Sequence, residues 1–238
     1  EIQRDVLGRV DAAIYSSAWA TDSAVRDYQT RPERVFQLPL GANIDDAYIP
    51  PVLDALFPRH ETCRLLFVGV EWERKGADKA IAITDELRAL GVPARLTIVG
   101  CRPPARLEHP AVDVITGIDK FGPGGMAAFA RLYRAADYFV LPTQVECFGV
   151  VFSEASAFGV PSITHDTGGV SAAVRDGVNG RLFAPDASPS LMAQAIARNW
   201  SSERDRVALR VSSKQHYERH LAWRNVGRRL CDVVQALA

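Results

Sequence analysis

The feature that most constrains the fold is the stretch 138–169, YFVLPTQVECFGVVFSEASAFGVPSITHDTGG. It opens on an apolar run, 138–141, which Pro142 ends, because proline brings no N–H to a sheet ladder and its ring breaks extended pairing. That predicts a buried strand. After the polar loop 143–146, residues 148–158 carry apolar side chains at helical spacing, with Gly159 placed as a left-handed C-terminal cap and Pro161 two residues beyond. Residues 160–164 predict a second strand, and 166–169 a sharp turn out of it. The unit is one βαβ crossover.

Two carboxylates punctuate it. Glu146 closes the loop before the helix and Glu154 follows eight residues later, where helical side chains lean back toward the N-terminus. Both can therefore face one crevice. Between them Cys147, Phe148, Gly149, Val150 and Val151 surround a helix start, whose first N–H groups lack intrahelical acceptors and suit a phosphate, with Gly149 leaving room for close approach. The same spacing also fits a solvated helix glutamate at Glu154 and, at Glu146, an acid that offsets the helix dipole.

Glu146-x7-Glu154, set in LPTQVECFGVVFSEASAFGVPSI and followed by Gly168-Gly169, resembles the donor-site signature of retaining glycosyltransferases of family 4, which have the GT-B fold. The resemblance implies that Glu154 binds the ribose of a nucleotide sugar and that Glu146 lies near the sugar. A second segment, the strand 64–68 followed by GVEWERKGADKAI, resembles the family's FVGR-then-KG motif. There Gly69 makes the turn and Lys75 contacts the donor diphosphate. The Arg that usually follows the Gly is Val70 here, and Arg74 is the candidate to supply its charge. By the same resemblance, backbone at 117–119, centred on Ile118, reads the base while Arg102 lies over it. The glutamates Glu71 and Glu73 are expected to face solvent or pair locally, since carboxylates repel phosphate.

The remaining segments fit this frame. Residues 12–16 and 35–38 predict strands around a helix 19–28, capped by Ser17 or Thr21. With VFQLPLGANID they resemble the close of the family's N-terminal domain and its hinge. Asp45-Asp46 falls in that turn and is not read as a metal pair. Residues 50–59 read as a proline-bounded linker, 76–90 as an amphipathic helix, 94–99 and 112–115 as strands, 126–136 as a helix after a glycine-rich loop, and 170–175 as a short helix. DGVNGRLF turns into an edge strand, 181–183, and Ser188-Pro189 start a helical tail.

Composition narrows the partners. With 28 basic against 28 acidic residues, the chain has no electrostatic footprint for nucleic acid. No run of 18 apolar residues and no charged-then-apolar leader is visible, so a cytoplasmic protein is expected. Trp223 with Arg224, Arg228 and Arg229 admits a peripheral contact at the inner membrane face. Cys63, Cys101, Cys147 and Cys231 form no CxxC pair and read as small core residues, and the His216 and His220 pair reads as solvent-facing.

The expectation is therefore an α/β fold: a doubly wound, Rossmann-like parallel sheet, the C-terminal half of a GT-B fold, with a helical C-terminal tail. Residues 1–45 would close the acceptor-side domain and hinge, 46–214 would bind the nucleotide sugar, and 215–238 would pack back toward the N-terminal domain. The implied reaction is retaining transfer of a hexosyl group from a UDP- or GDP-sugar to a hydroxyl of a glycan, a lipid-linked glycan or a small molecule. No metal or other cofactor is expected, and part of the acceptor site would come from N-terminal residues outside this chain. A nucleotide-sugar epimerase and a binding module without turnover are the alternatives.

Overall fold

The computed structural model describes residues 2–51 and 60–237. Most of the expected linker 50–59 lies outside them. The chain begins with helix α1 (Ile2–Arg9), strand β1 (Ala13–Tyr15), helix α2 (Ala18–Arg26) and strand β2 (Val35–Gln37). β1 and β2 pair in parallel as a small separate sheet. Ser17 caps α2, its Oγ accepting from the Ala20 N–H at 3.3 Å. Asp45 does the same for the 3₁₀ turn Asp46–Tyr48, accepting from the Ala47 N–H at 2.9 Å.

The main body follows: β3 (Cys63–Val68), a one-turn helix α3 (Trp72–Lys75), α4 (Ala77–Ala89), β4 (Ala94–Val99), β5 (Val112–Ile115), α5 (Gly125–Ala135), β6 (Tyr138–Leu141), α6 (Val150–Ala157), β7 (Ser162–His165) and β8 (Gly180–Phe183). Among the described residues these strands form one parallel sheet in the order β5-β4-β3-β6-β7-β8. The chain starts in the middle at β3, builds outward to β5, then crosses to β6 and builds the other way. This is the doubly wound arrangement expected, and its order reverses between β3 and β6. Central strands need apolar residues on both faces, and β6 is buried at all four positions. Phe67, Phe139, Phe152 and Phe158 fill the core, with the Phe139 ring edge-on to Phe152 at 5.7 Å.

The tail is α7 (Pro189–Ser201), α8 (Glu203–His216), a π-helical turn (Tyr217–Leu221) and α9 (Trp223–Leu237). Ser188 caps α7 by accepting from the Leu191 N–H at 3.2 Å, with Pro189 at the first helical position as expected.

Several boundaries differ from expectation. The helix predicted over 148–158 starts at Val150, because Gly149 at φ 80° is its left-handed N-terminal flank. The helix expected over 170–175 is only a 3₁₀ turn, Val170–Ala172. Asn179 diverts it by accepting from the Arg175 N–H at 2.6 Å and donating to the Ala173 carbonyl at 2.8 Å. Of the four cysteines, Cys63 and Cys101 are buried as core residues, but Cys147 and Cys231 are exposed on a loop and on the outer face of α9. The histidine pair is also only half as expected: His220 is exposed, whereas His216 is partly buried.

Candidate functional site

The candidate residues gather where the strand order reverses, at the C-terminal ends of β3 and β6. After β3 the chain makes the turn α3, which places Arg74 and Lys75 at its end. Gly76 then enters the left-handed region at φ 78°, and an added Cβ there would stand 2.3 Å from the Pro142 carbonyl oxygen. Only glycine lets this turn approach the β6 loop so closely. Thr143 fastens the same contact, its Oγ lying 3.2 Å from both the Arg74 and Val145 carbonyl oxygens.

From the other side comes Glu146. The buried Lys75 ammonium forms a hydrogen-bonded ion pair with the Glu146 carboxylate. Arg74 Nη1 stands 3.8 Å from the same carboxylate, donates to the Val145 carbonyl at 2.8 Å, and Nη2 pairs with Glu71 at 2.5 Å. Glu71 is held below the usual carboxylate range by that hydrogen bond from Arg74. It therefore pairs locally, as anticipated, and Glu73 beside it is exposed. Gly69 lies against the stem of Lys75, where an added Cβ would stand 3.1 Å from Lys75 Cγ, and a Cβ added at Gly149 would stand 3.2 Å from Glu146 Cγ. The Gly168-Gly169 pair buttresses the loop beneath. Gly169 N–H donates to the Glu146 carbonyl at 2.8 Å, and a Cβ at Gly168 would fall 2.3 Å from that oxygen.

The start of α6 adjoins this cluster. Phe148 is buried and anchors the turn, Cys147 is exposed, and Gly149, Val150 and Val151 are partly exposed with their N–H groups at the open end of the helix.

Glu154 occupies a different setting from a solvated glutamate. It is only 2% exposed, accepts from Tyr133 Oη–H at 2.8 Å and pairs with Lys120. Burial, then the neighbouring Glu154 charge and hydrogen bond, push the Tyr133 phenol well above its ordinary value, so it stays protonated and donates. Lys120 comes from the loop after β5, and its ammonium also lies 5.3 Å from the centre of the Phe129 ring. Arg102, after β4, is exposed, and Ile118, after β5, is half-buried. Among the described residues no hydrogen bond joins either to the Lys75 or Glu154 clusters.

Sequence reasoning did not single out Lys120, Tyr133 or His165. Tyr133 had a signal: it lies on the buried stripe of α5 with Phe129 and Ala130. His165 ends β7 and is 1% exposed; Nδ1 lies 3.2 Å from the Thr143 carbonyl oxygen and Nε2 3.3 Å from Lys79 Nζ. Burial lowers its pKa, so the ring is neutral, with Nδ1–H donating to Thr143 and Nε2 accepting from the Lys79 ammonium. It braces the loop that carries Glu146.

A doubly wound sheet with cationic side chains and an open helix start at its order-reversal point defines a Rossmann-like domain suited to phosphorylated ligands. The family model described as glycosyl transferases group 1 matches residues 62–202, and the chain belongs to that family. The D-inositol 3-phosphate glycosyltransferase of Saccharomonospora viridis is 28% identical over 247 residues, covering 97% of this chain and 57% of the relative. That of Geodermatophilus obscurus is 30% identical over 199 residues, covering 76% of this chain and 43% of the relative. The chain thus spans about half the length of the curated relatives it matches. Among solved structures, sucrose-phosphate synthase of Thermosynechococcus elongatus superposes with a TM-score of 0.76 at 23% identity, over 99% of this chain and 60% of that one. The Anabaena protein HepE, solved in complex with UDP and glucose, gives 0.74 at 15% identity, over 98% and 66%. These likenesses bear out the GT-B type of fold.

Proposed function

We propose that this chain is the donor-binding half of a retaining glycosyltransferase, which moves a hexosyl group from a UDP- or GDP-sugar to an acceptor hydroxyl. The observation that carries the reading is the convergence of Lys75 and Arg74 on Glu146 beside the open start of α6. Departure of a nucleoside diphosphate leaves growing negative charge, and prepositioned cations with helix-start N–H groups stabilise such charge. An ammonium carries three donors, so Lys75 can keep Glu146 and still reach a phosphate oxygen. Arg74, with its guanidinium already turned toward Glu146, stands where it can replace the charge missing at Val70. Glu154 would accept from the ribose hydroxyls, Glu146 would face the sugar, and Gly69, Arg102 and Ile118 would line the donor path. In a retaining reaction of this type the acceptor proton passes to the departing phosphate, so no side chain here is assigned as general base.

The division at residues 45 and 214 belongs to this proposal and is supported by the separate β1-β2 sheet and by α9 returning to it. No metal is assigned a role. Among the described residues no helix is long and apolar enough to cross a membrane; a cytoplasmic setting, with or without peripheral membrane contact, is part of the proposal. The relatives and structural neighbours lend the epimerase alternative no support. A binding module without turnover differs only in the outcome of an activity assay.

Thermal shift with a panel of UDP- and GDP-sugars is the test. A donor at about ten times its Kd should stabilise the chain by about 1.4 kcal/mol. No shift with either nucleotide series would refute the assignment.

A further inference from the structure

A second cationic site lies outside the donor crevice. An open cavity of about 380 Å³ is lined by Gln37 at the end of β2, Ser171 and Arg175 beyond the Gly168-Gly169 turn, His216 and His220 around the π-helical turn, and Arg229 on α9. The extra residue of a π turn changes which side chains stand together, and such turns recur at functional sites. Here it sets the two imidazole rings side by side, with centroids 4.9 Å apart. Arg229 is aimed across the cavity mouth by donating to the Gln37 carbonyl at 3.3 Å.

We propose that this cavity binds a small phosphorylated anion, held by Arg175, Arg229 and the His216–His220 pair. Two guanidiniums and two imidazoles supply only donors once the rings are protonated, and none of the described lining residues is a carboxylate. A metal is a poor fit, because arginine does not deprotonate to ligate and, among the described residues, no third His, Cys, Asp or Glu joins the pair. The volume falls in the range of small-molecule pockets, larger than a lone phosphate requires.

His216 is held neutral by its surroundings. Burial first, then the neighbouring His220 and Arg175 charges, lower the His216 pKa to about 4. Its folded value thus lies below its ordinary one of 6.5, so between pH 6.5 and 4 the unfolded chain binds more protons. Stability from this group is full above 6.5 and is lost as pH falls toward 4. An anion binding protonated His216 reverses that bias, so affinity should rise as pH falls through the same window.

Titrating the histidine Cε1–H resonances of the 238-residue chain in inorganic phosphate and in chloride of matched ionic strength tests this. Assignment comes from His216→Asn and His220→Asn. Phosphate should raise the His216 midpoint by about one pH unit, a tenfold preference for the protonated form. Arg175→Gln and Arg229→Gln, both at exposed side chains, should each shrink that shift, whereas Lys75→Ala in the donor crevice should leave it whole. Identical titrations in phosphate and chloride would overturn the proposal. So would a phosphate shift that survives in both arginine variants or vanishes in Lys75→Ala.

Discussion

Lys75 and Glu154 are both buried, charged and paired, yet they should fail differently when changed. On the proposed reading Lys75 would face the bond that breaks. In the full-length enzyme Lys75→Ala should lower kcat by about 2 to 4 kcal/mol of barrier, with a smaller change in donor affinity, because leaving-group charge grows only toward the transition state. Glu154 would hold ribose hydroxyls that do not change during reaction. Glu154→Gln should therefore raise donor KM by about 1 to 2 kcal/mol with little effect on kcat, the amide keeping one acceptor oxygen. Comparing ribose with 2′-deoxyribose donors decides the point: a mutant that still discriminates against the deoxy donor as strongly as wild type would show that Glu154 is not the ribose ligand. Lys75, Glu146 and Glu154 were legible in the sequence because the motif fixes their distance from a strand end or helix start. Lys120 and Tyr133 were not, since they reach Glu154 from 34 and 21 residues away, and only folding brings those charges and hydroxyls together.

At the scale of elements, the strands were read almost to the residue, because an apolar run closed by proline or glycine has one reading in an alternating β/α chain. The one-turn helix α3 escaped notice: Trp72–Lys75 is too short to show a period, and it is held by tertiary contacts such as Trp72 Nε1–H donating to Asp78 at 2.9 Å. Helix α8 hid a different logic. Its Arg206, Arg210 and Lys214, four residues apart on one face, are buried. They donate to carbonyl oxygens at three helix C-terminal ends: Trp200 of α7 at 3.2 Å, Ala136 after α5 at 2.9 Å and Ala157 of α6 at 2.9 Å. Three cations thus meet the negative ends of three helix dipoles. Burial lowers the Arg210 pKa to about 10, still far above neutrality, and Asp137 opposes that lowering across 3.5 Å. Without Arg210 the buried Asp137 keeps, among the described residues, only the Arg64 N–H at 2.9 Å and His60 at 3.3 Å, so Arg210→Met should destabilise by up to about 3 to 5 kcal/mol. Arg210→Met combined with Asp137→Asn should lose less than the sum of the two single changes. Strict additivity in chemical denaturation would mean that the pair does not interact.

For the whole molecule, specific contacts tie the small N-terminal sheet to the six-stranded body. Ser153, one residue before Glu154 on α6, donates through Oγ to the Leu40 carbonyl at 2.8 Å. Trp223 donates to the Ala42 carbonyl at 2.8 Å, and its ring lies so close to Gly41 that a Cβ there would come within 2.6 Å of it. Segment 37–42 is therefore gripped from two sides, by the helix that carries Glu154 and by the helix that ends the chain. Beyond this grip α9 becomes exposed, and Leu230, Val234 and Leu237 are 40%, 57% and 44% accessible. On the proposed reading the donor-side machinery is assembled within the chain, which matches only 57% of the length of its Saccharomonospora viridis relative. On the proposed reading the acceptor-side residues lie in the remainder. Holding both substrates together supplies about 7 to 11 kcal/mol of advantage in well-oriented reactions, and a chain that positions only the donor forgoes most of it. The 238-residue chain should therefore bind a nucleoside diphosphate with an affinity close to that of the full-length enzyme and transfer sugar at least about a thousandfold more slowly. Calorimetry with UDP and GDP and a radiolabelled-donor transfer assay on both forms measure the two halves of this expectation. Transfer by the chain at the full-length rate would place the acceptor site within these residues and overturn the division of labour argued here.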